Sequence, residues 1–173
     1  MRVLFKNGTI VTMNGQRDVI KGDLLTDENK IVALGREINL PADRVIDLKG
    51  DVLIPGLIQT HVHLCQTLFR GQADDLELLD WLKYRIWPLE GAHDSESLYD
   101  SAQLGIGELF LGGTTTIVDM ETVHNTESAF QAILDSGLRA ISGKCMMDAP
   151  NDDIPKSLRE NTTYSLQKSV DLF

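Results

Sequence analysis

The sequence predicts an α/β fold, with a small sheet of short strands followed by a parallel sheet joined by helical crossovers. Three observations predict it. Residues 1–51 carry short alternating apolar runs broken by turn residues roughly every 8–12 positions. From residue 52 onward, β-branched runs alternate with helical patterns. The texture changes at Pro55-Gly56, where a rigid residue meets a permissive one. The 173 residues, 42% of them hydrophobic, suffice for one domain, or for one domain with a small appendage.

Taken in order, "RVLFKNGTIVTMNG" reads as strands broken by a turn at Asn7-Gly8, a pair that tolerates positive φ. "DLLTDENKIVALG" repeats the pattern with its turn over residues 27–30, and "RVIDLKGDVLIPG" adds a strand pair around Lys49-Gly50. Such short strands suit a small sheet or half of a β-sandwich. "LIQTHVHL" then reads as a buried strand. Residues 75–87 place Leu76, Leu79, Leu82 and Ile86 at helical spacing. Asp94-Ser95 opens a helix that reaches about Phe110 and closes at Gly112-Gly113. A strand over 114–120, a helix over 126–137 ended by Gly137, and a strand over 139–147 follow; "TTYSLQKSVDLF" begins a last helix. No short-period repeat or low-complexity segment interrupts this order.

The formal charge of −10, from 16 basic and 26 acidic residues, argues against a nucleic-acid or anionic-membrane partner. No apolar run approaches the ~18 residues of a membrane span. The first residues lack the long apolar stretch of a signal peptide. Cys65 and Cys145 read as reduced thiols, not as a disulfide framework. The expected location is the cytoplasm.

Two of the four histidines stand at i and i+2, His61 and His63. In a strand, alternate side chains share a face, so the two imidazoles project together. A transition metal needs ligands at ~2.0–2.1 Å converging from one side. Two imidazoles near the carboxyl end of a barrel strand, the functional end of such barrels, supply that arrangement. Thr60 and Leu64 leave them as the only strongly coordinating groups of the segment. The alternative is a pair of hydrogen-bonded core or loop histidines.

"PGLIQTHVHL", followed by "TLFRGQADDLELLDWLKYRIWPLE" and "GGTTTIVDM", resembles the amidohydrolase superfamily. More narrowly it is similar to the deaminase branch acting on 5′-deoxyadenosine, methylthioadenosine and S-adenosylhomocysteine. The resemblance implies a partial (β/α)8 TIM-like barrel of about three βα units over 52–173, preceded by part of a small β-sandwich over 1–51. It implies that His61 and His63 bind one divalent metal, zinc or alternatively iron, which activates a water for attack on an amino-bearing ring carbon. In the family, two further histidines, a glutamate and an aspartate come from strands five, six and eight. Those strands have no counterpart here, so no catalytic residue is assigned within the chain. A complete barrel needs ~250 residues, and the chain resembles the amino-terminal portion of such an enzyme. Inactivity alone is therefore expected, with homo-oligomerisation or association with a missing C-terminal portion.

The same resemblance makes Trp81, Glu90, His124 and Lys144 candidates for substrate binding. Trp81 and Glu90 match positions near the ribose and base, although a core aromatic and a solvated residue after Pro88 are the plainer readings. His124 follows the second barrel strand and is equally readable as a loop histidine. Lys144 stands where this branch often has an arginine, and its Gly-Lys-x-x-Met-Asp run resembles guanine deaminases. His93 reads as a capping or solvent-facing residue, and Cys65 as a small core residue. The expected substrate is a small aminopurine nucleoside or related heterocycle. Guanine deamination or s-triazine dechlorination is the rival within the fold, and a non-catalytic fragment or binding module the rival outside it.

Overall fold

The computed structural model describes residues 1–72, 74–149 and 152–172. It divides into two compact units, Met1–Pro55 and Gly56–Phe173. In the first, β1 (Arg2–Val11) pairs antiparallel with β2 (Val19–Asp27), and β2 with β3 (Lys30–Gly35). β4 (Arg44–Asp47) and β5 (Val52–Leu53) both run parallel to β1. The expected turn over 27–30 is present, with Glu28 at φ 51°.

Two expectations for this unit are corrected. Asn7-Gly8 is not a hairpin turn; it lies inside β1, where the β1–β2 register slips between Phe5 and Gly8. Asn7 takes φ 59°, and a residue able to adopt positive φ serves a bulge as well as a turn. Its amide donates to Asp23 Oδ1 at 3.0 Å and its Nδ2 to Asp47 Oδ1 at 3.0 Å, which ties three strands at the bulge. At Gly8 the Leu48 side chain packs close, 2.4 Å from where a Cβ would stand, so a larger residue would require that leucine to move. The strands around Lys49-Gly50 also do not pair with each other; each joins β1 instead.

Asp23, 2% exposed, anchors this unit beside the apolar cluster of Leu4, Leu25 and Ile38. Burial pushes its carboxyl pKa up. The backbone N–H groups of Ile38 and Asn7, both at 3.0 Å, and the Lys6 ammonium outweigh burial and hold it below the usual carboxylate value.

In the second unit β6 (Leu57–Val62), β7 (Thr114–Met120) and β8 (Arg139–Gly143) form a parallel sheet in the order β6-β7-β8. The helices Ser95–Leu111 and Thr126–Ser136 make the crossovers. Leu98, Ala102 and Ile106 of one and Ala129 and Ile133 of the other close over Ile117 and Leu64. The first crossover helix starts as its sequence dictates. Asp94 Oδ1 accepts from the Ser97 amide at 2.8 Å, and Ser97 Oγ accepts from the Asp94 amide at 3.1 Å. Gly137, at φ 72°, ends the second. This is the α/β order expected from the sequence, with three parallel strands and the crossovers of a partial barrel. No helix among the described residues is long and apolar enough to cross a membrane.

Three segments differ from expectation. "LIQTHVHL" is not buried: Leu57 and Ile58 are 51% and 65% exposed. The run has the composition of a strand covered on both faces, but among the described residues β6 is an edge strand paired only with β7. The helix expected over 75–87 instead runs over 78–90, with a π-helical turn, Leu82–Ile86, between Leu78–Trp81 and Trp87–Glu90. Pro88 has no N–H to give the Tyr84 carbonyl, which accepts from Arg85 Nη1 at 2.9 Å. Of the expected apolar stripe Ile86 is buried at 3% exposure, while Leu79 is 64% exposed. β8 stops at Gly143, short of the expected 147, because Cys145 turns its amide back to the carbonyls of Glu121 and Thr122. The last helix is Thr162–Asp171; Phe173, the end of the expected helix, lies outside the described residues.

Asp23→Ala strands the buried Ile38 amide and the part-buried Asn7 amide, so a loss of about 1–3 kcal/mol is expected in denaturant unfolding. Because the folded pKa is depressed, the stabilisation from Asp23 is present above the unfolded carboxylate value and vanishes as pH falls through the folded one. The wild-type advantage over Asp23→Ala should therefore shrink in acid.

Candidate metal and substrate site

His61 lies in the last turn of the β6 pleat and His63 one residue beyond the strand. Their rings meet edge to face with Nε2 atoms 3.0 Å apart. His63 Nδ1 is 2.9 Å from the Met120 carbonyl on β7. A carbonyl only accepts, so that nitrogen carries the proton and Nε2 of the neutral ring carries the lone pair. Two nitrogens each ~2.0–2.1 Å from one ion are ~2.9–3.4 Å apart at ligand angles of ~90–109°. The separation and the tautomer of His63 thus fit two ligands of one ion. Among the described residues no cluster of three or more His, Cys, Asp or Glu side chains completes such a site.

The pair lines a cavity of about 480 Å³ together with Trp81, Trp87, Glu90 and Met147. Glu90 is not a solvated residue after Pro88; it is 9% exposed. Gln66 Nε2 donates to Oε1 at 2.8 Å, Cys65 Sγ lies 3.6 Å from the same oxygen, and Thr122 Oγ1 donates to Oε2 at 3.3 Å. The carboxylate is therefore fixed in orientation by three side chains from two segments. Burial, then the carboxylates of Glu121 and Glu90, push the Cys65 thiol pKa up, so Cys65 is inert packing and not a nucleophile.

Asp119 and Glu121, singled out by no sequence motif, stand at the end of β7, 5% and 2% exposed. Asp119 accepts at both oxygens, from the Leu64 amide at 3.0 Å and from Ser142 Oγ at 2.5 Å. Burial raises its pKa and the Ser142 hydroxyl and Leu64 amide oppose that rise. Neither carboxyl oxygen of Glu121 meets a hydrogen-bond donor among the described residues. Burial, followed by the charge of Asp119, pushes Glu121 up to about 9, so Glu121 holds its proton at neutral pH.

His124 and Lys144 do not line the cavity of the histidine pair. They border a separate recess of about 300 Å³ with Glu160 and Tyr164. Lys144 Nζ bonds to Glu160 Oε1 and Oε2 at 2.9 and 2.8 Å, Ser165 Oγ at 3.1 Å and the Cys145 carbonyl at 3.0 Å. Both side chains of this ion pair are almost wholly buried, 3% and 1% exposed. Its charge is spent inside the protein. His93 is not solvent-facing: Nε2 bonds the Cys65 carbonyl at 2.8 Å, Nδ1 meets Ser97 Oγ at 3.0 Å, and the ring stacks on Phe69.

Paired strand-end imidazoles beside an aromatic cavity with a fixed carboxylate are the class of site found in barrel metallohydrolases. The Amidohydrolase family model matches residues 52–171, and the chain belongs to that family. It is 40% identical over 161 residues to the 5-methylthioadenosine/S-adenosylhomocysteine deaminase of Thermococcus kodakarensis, covering 92% of this chain and 37% of that protein. It is 41% identical over 155 residues to the 5′-deoxyadenosine deaminase of Methanobrevibacter smithii, covering 89% and 34%. The chain thus spans little more than a third of the length of these relatives. Among solved structures it superimposes on Escherichia coli guanine deaminase with TM-score 0.81 at 26% identity, and on an Arthrobacter aurescens triazine hydrolase with TM-score 0.85 at 25%. In each case it covers 99% of this chain and 42% of the other.

Glu121 binds a proton in the folded state that the unfolded chain has lost, from about pH 4.5 to about 9. Stability should therefore fall as pH rises through that window. Glu121→Gln removes the dependence, so its gain in melting temperature over wild type should be larger near the top of the window than near its bottom. Glu160→Ala leaves the Lys144 charge buried and unpaired. Thermal or denaturant unfolding should show a loss of about 3–5 kcal/mol, the cost of breaking a buried pair.

Proposed function

We propose that this chain contributes two metal ligands and one wall of the substrate cavity to a metal-dependent aminohydrolase. The substrate is a 6-aminopurine nucleoside such as 5′-deoxyadenosine or methylthioadenosine, and the metal is zinc, with iron as the alternative. The observation that carries this reading is the convergence of His61 and His63 Nε2 at 3.0 Å on the cavity that also holds Trp81 and Glu90. The two relatives named above, at about 40% identity, carry that activity in their names. When bound, the metal would supply acidification of a water.

The chain's own residues bind and orient. Trp81 offers an aromatic wall to a planar base. Glu90 has about four lone-pair sites; Gln66, Cys65 and Thr122 occupy three. The site left over accepts a hydrogen bond from a ribose hydroxyl. Lys144, neutralised by Glu160, offers no free charge to an anionic tail. That favours a nucleoside with a small neutral 5′ substituent over one carrying an amino-acid tail. Catalytic metals take three or more protein ligands. The remaining ligands therefore come from polypeptide outside the described residues, supplied by further length of the protein or by an associated chain.

Likeness to guanine deaminase and triazine hydrolase structures supports a second reading, guanine deamination or triazine hydrolysis. A substrate panel decides, run on the protein at the full length its gene encodes and loaded with zinc or iron. Ammonia release from 5′-deoxyadenosine or methylthioadenosine, in preference to guanine or a chloro-s-triazine, is the expected result. His61→Ala and His63→Ala should each lower it by more than the roughly 10–100-fold typical of losing an outer-shell partner. Undiminished turnover in the doubly substituted protein would exclude the metal role.

A further inference from the structure

His63 stands outside the regular ladder. β6 ends at Val62, the β6–β7 register is irregular between Gln59 and Val62, and the last pairing is Val62 with Asp119. The backbone at His63 has φ −131° and ψ 88°, and it leads straight into the Leu64–Phe69 turn without a side-chain cap. Strand pairing alone therefore does not hold this ring in place.

What grips it comes from β7. The Asp119 carboxylate takes the amide of Leu64, the residue after His63, at 3.0 Å; the next carbonyl along β7, Met120, takes the ring Nδ1–H at 2.9 Å. The second carboxylate oxygen is held by Ser142 Oγ on β8 at 2.5 Å. One side chain thus joins the ends of all three parallel strands, and Ser142 fixes its rotation. Asp119 is 5% exposed, so these bonds are shielded from competing water.

We propose that Asp119 and Ser142 are positioning residues for the metal histidine. By locking the main chain after His63, they set its ring against the Met120 carbonyl and present Nε2 to His61. The inference rests on the reading of His63 as a metal ligand. Neither residue reaches the cavity's contents; they act through His63, as outer-shell partners of ligating histidines generally do.

Ser142→Ala removes the hydroxyl at small cost to packing, and Ser142→Thr restores it. The first readout is the imidazole nitrogen spectrum of the metal-free protein, in which wild-type His63 should be a single Nδ1–H tautomer. Ser142→Ala should mix the tautomers and speed exchange of the Nδ1 proton, and Ser142→Thr should return both to wild type. The second readout is zinc affinity by calorimetric titration, expected to weaken roughly 10–100-fold in Ser142→Ala and to recover in Ser142→Thr. An unchanged His63 spectrum in folded Ser142→Ala overturns the proposal, whether or not melting temperature falls. If the spectrum shifts as expected but no variant binds zinc, the positioning stands and the metal reading fails. If zinc binds equally to all three proteins, the positioning role fails and the metal reading stands.

Discussion

The parallel register of β7 between β6 and β8 is the constraint from which the site follows. Parallel pairing brings the carboxyl ends of all three strands to one edge of the sheet, with Val62 opposite Asp119 and Asp119 opposite Ser142. Polar groups from separate stretches of sequence therefore meet where the ladder runs out of partners. His63, the Met120 carbonyl, Asp119 and Ser142 satisfy one another there, and Glu121 continues the chain by donating its amide to the Gly143 carbonyl. A slip of one residue in β7 would turn Asp119 to the other face and put a different carbonyl opposite His63. It would dissolve the cavity edge, because no single contact among these groups is made within one strand.

Signals carried within a few residues of chain were legible in the sequence. The i and i+2 spacing placed both histidines on one face, Asp94 and Ser97 specified a helix start, and Gly137 specified a helix end. Each uses local geometry alone. What was not legible depends on partners far along the chain. Asn7-Gly8 supports a turn or a bulge equally; the choice falls to Asp23 and Asp47, which bond Asn7 across two neighbouring strands. Lys144 reads as a rim cation until Glu160, sixteen residues on, spends its charge. "LIQTHVHL" has the composition of a doubly covered strand, yet among the described residues β6 pairs only with β7 and stays exposed. Glu121 gave no signal beyond an acid near a strand end, since its character comes from burial next to Asp119.

The acidity of the chain also takes a particular form. Asp23, Glu90, Asp119 and Glu121 are buried in spite of the cost of removing carboxylates from water. Three of the four recover that cost through named donors: backbone amides for Asp23, amide and hydroxyl side chains for Glu90, an amide and a hydroxyl for Asp119. Glu121 meets no well-formed hydrogen-bond donor among the described residues, and it escapes the cost by keeping its proton. A second buried charge beside Asp119 would repel the one carboxylate that ties the strand ends together. Neutrality of Glu121 spares the Asp119 carboxyl group a second buried charge beside it.

The histidine pair carries a related constraint on protons. With Nδ1–H of His63 committed to the Met120 carbonyl, its neutral ring presents a bare Nε2 to the Nε2 of His61 at 3.0 Å. Two lone pairs at that distance repel, so the contact is a hydrogen bond only if His61 carries its proton on Nε2. A metal ligand needs that nitrogen bare. His63 is consequently held ready by β7 in the form a metal accepts, whereas His61 must move its proton to Nδ1. Among the described residues no hydrogen-bond partner of His61 Nδ1 opposes the change, as the Met120 carbonyl does for His63. The two histidines share a face and a sequence motif, but the fold fixes the tautomer of one and leaves that of the other free to follow what binds between them.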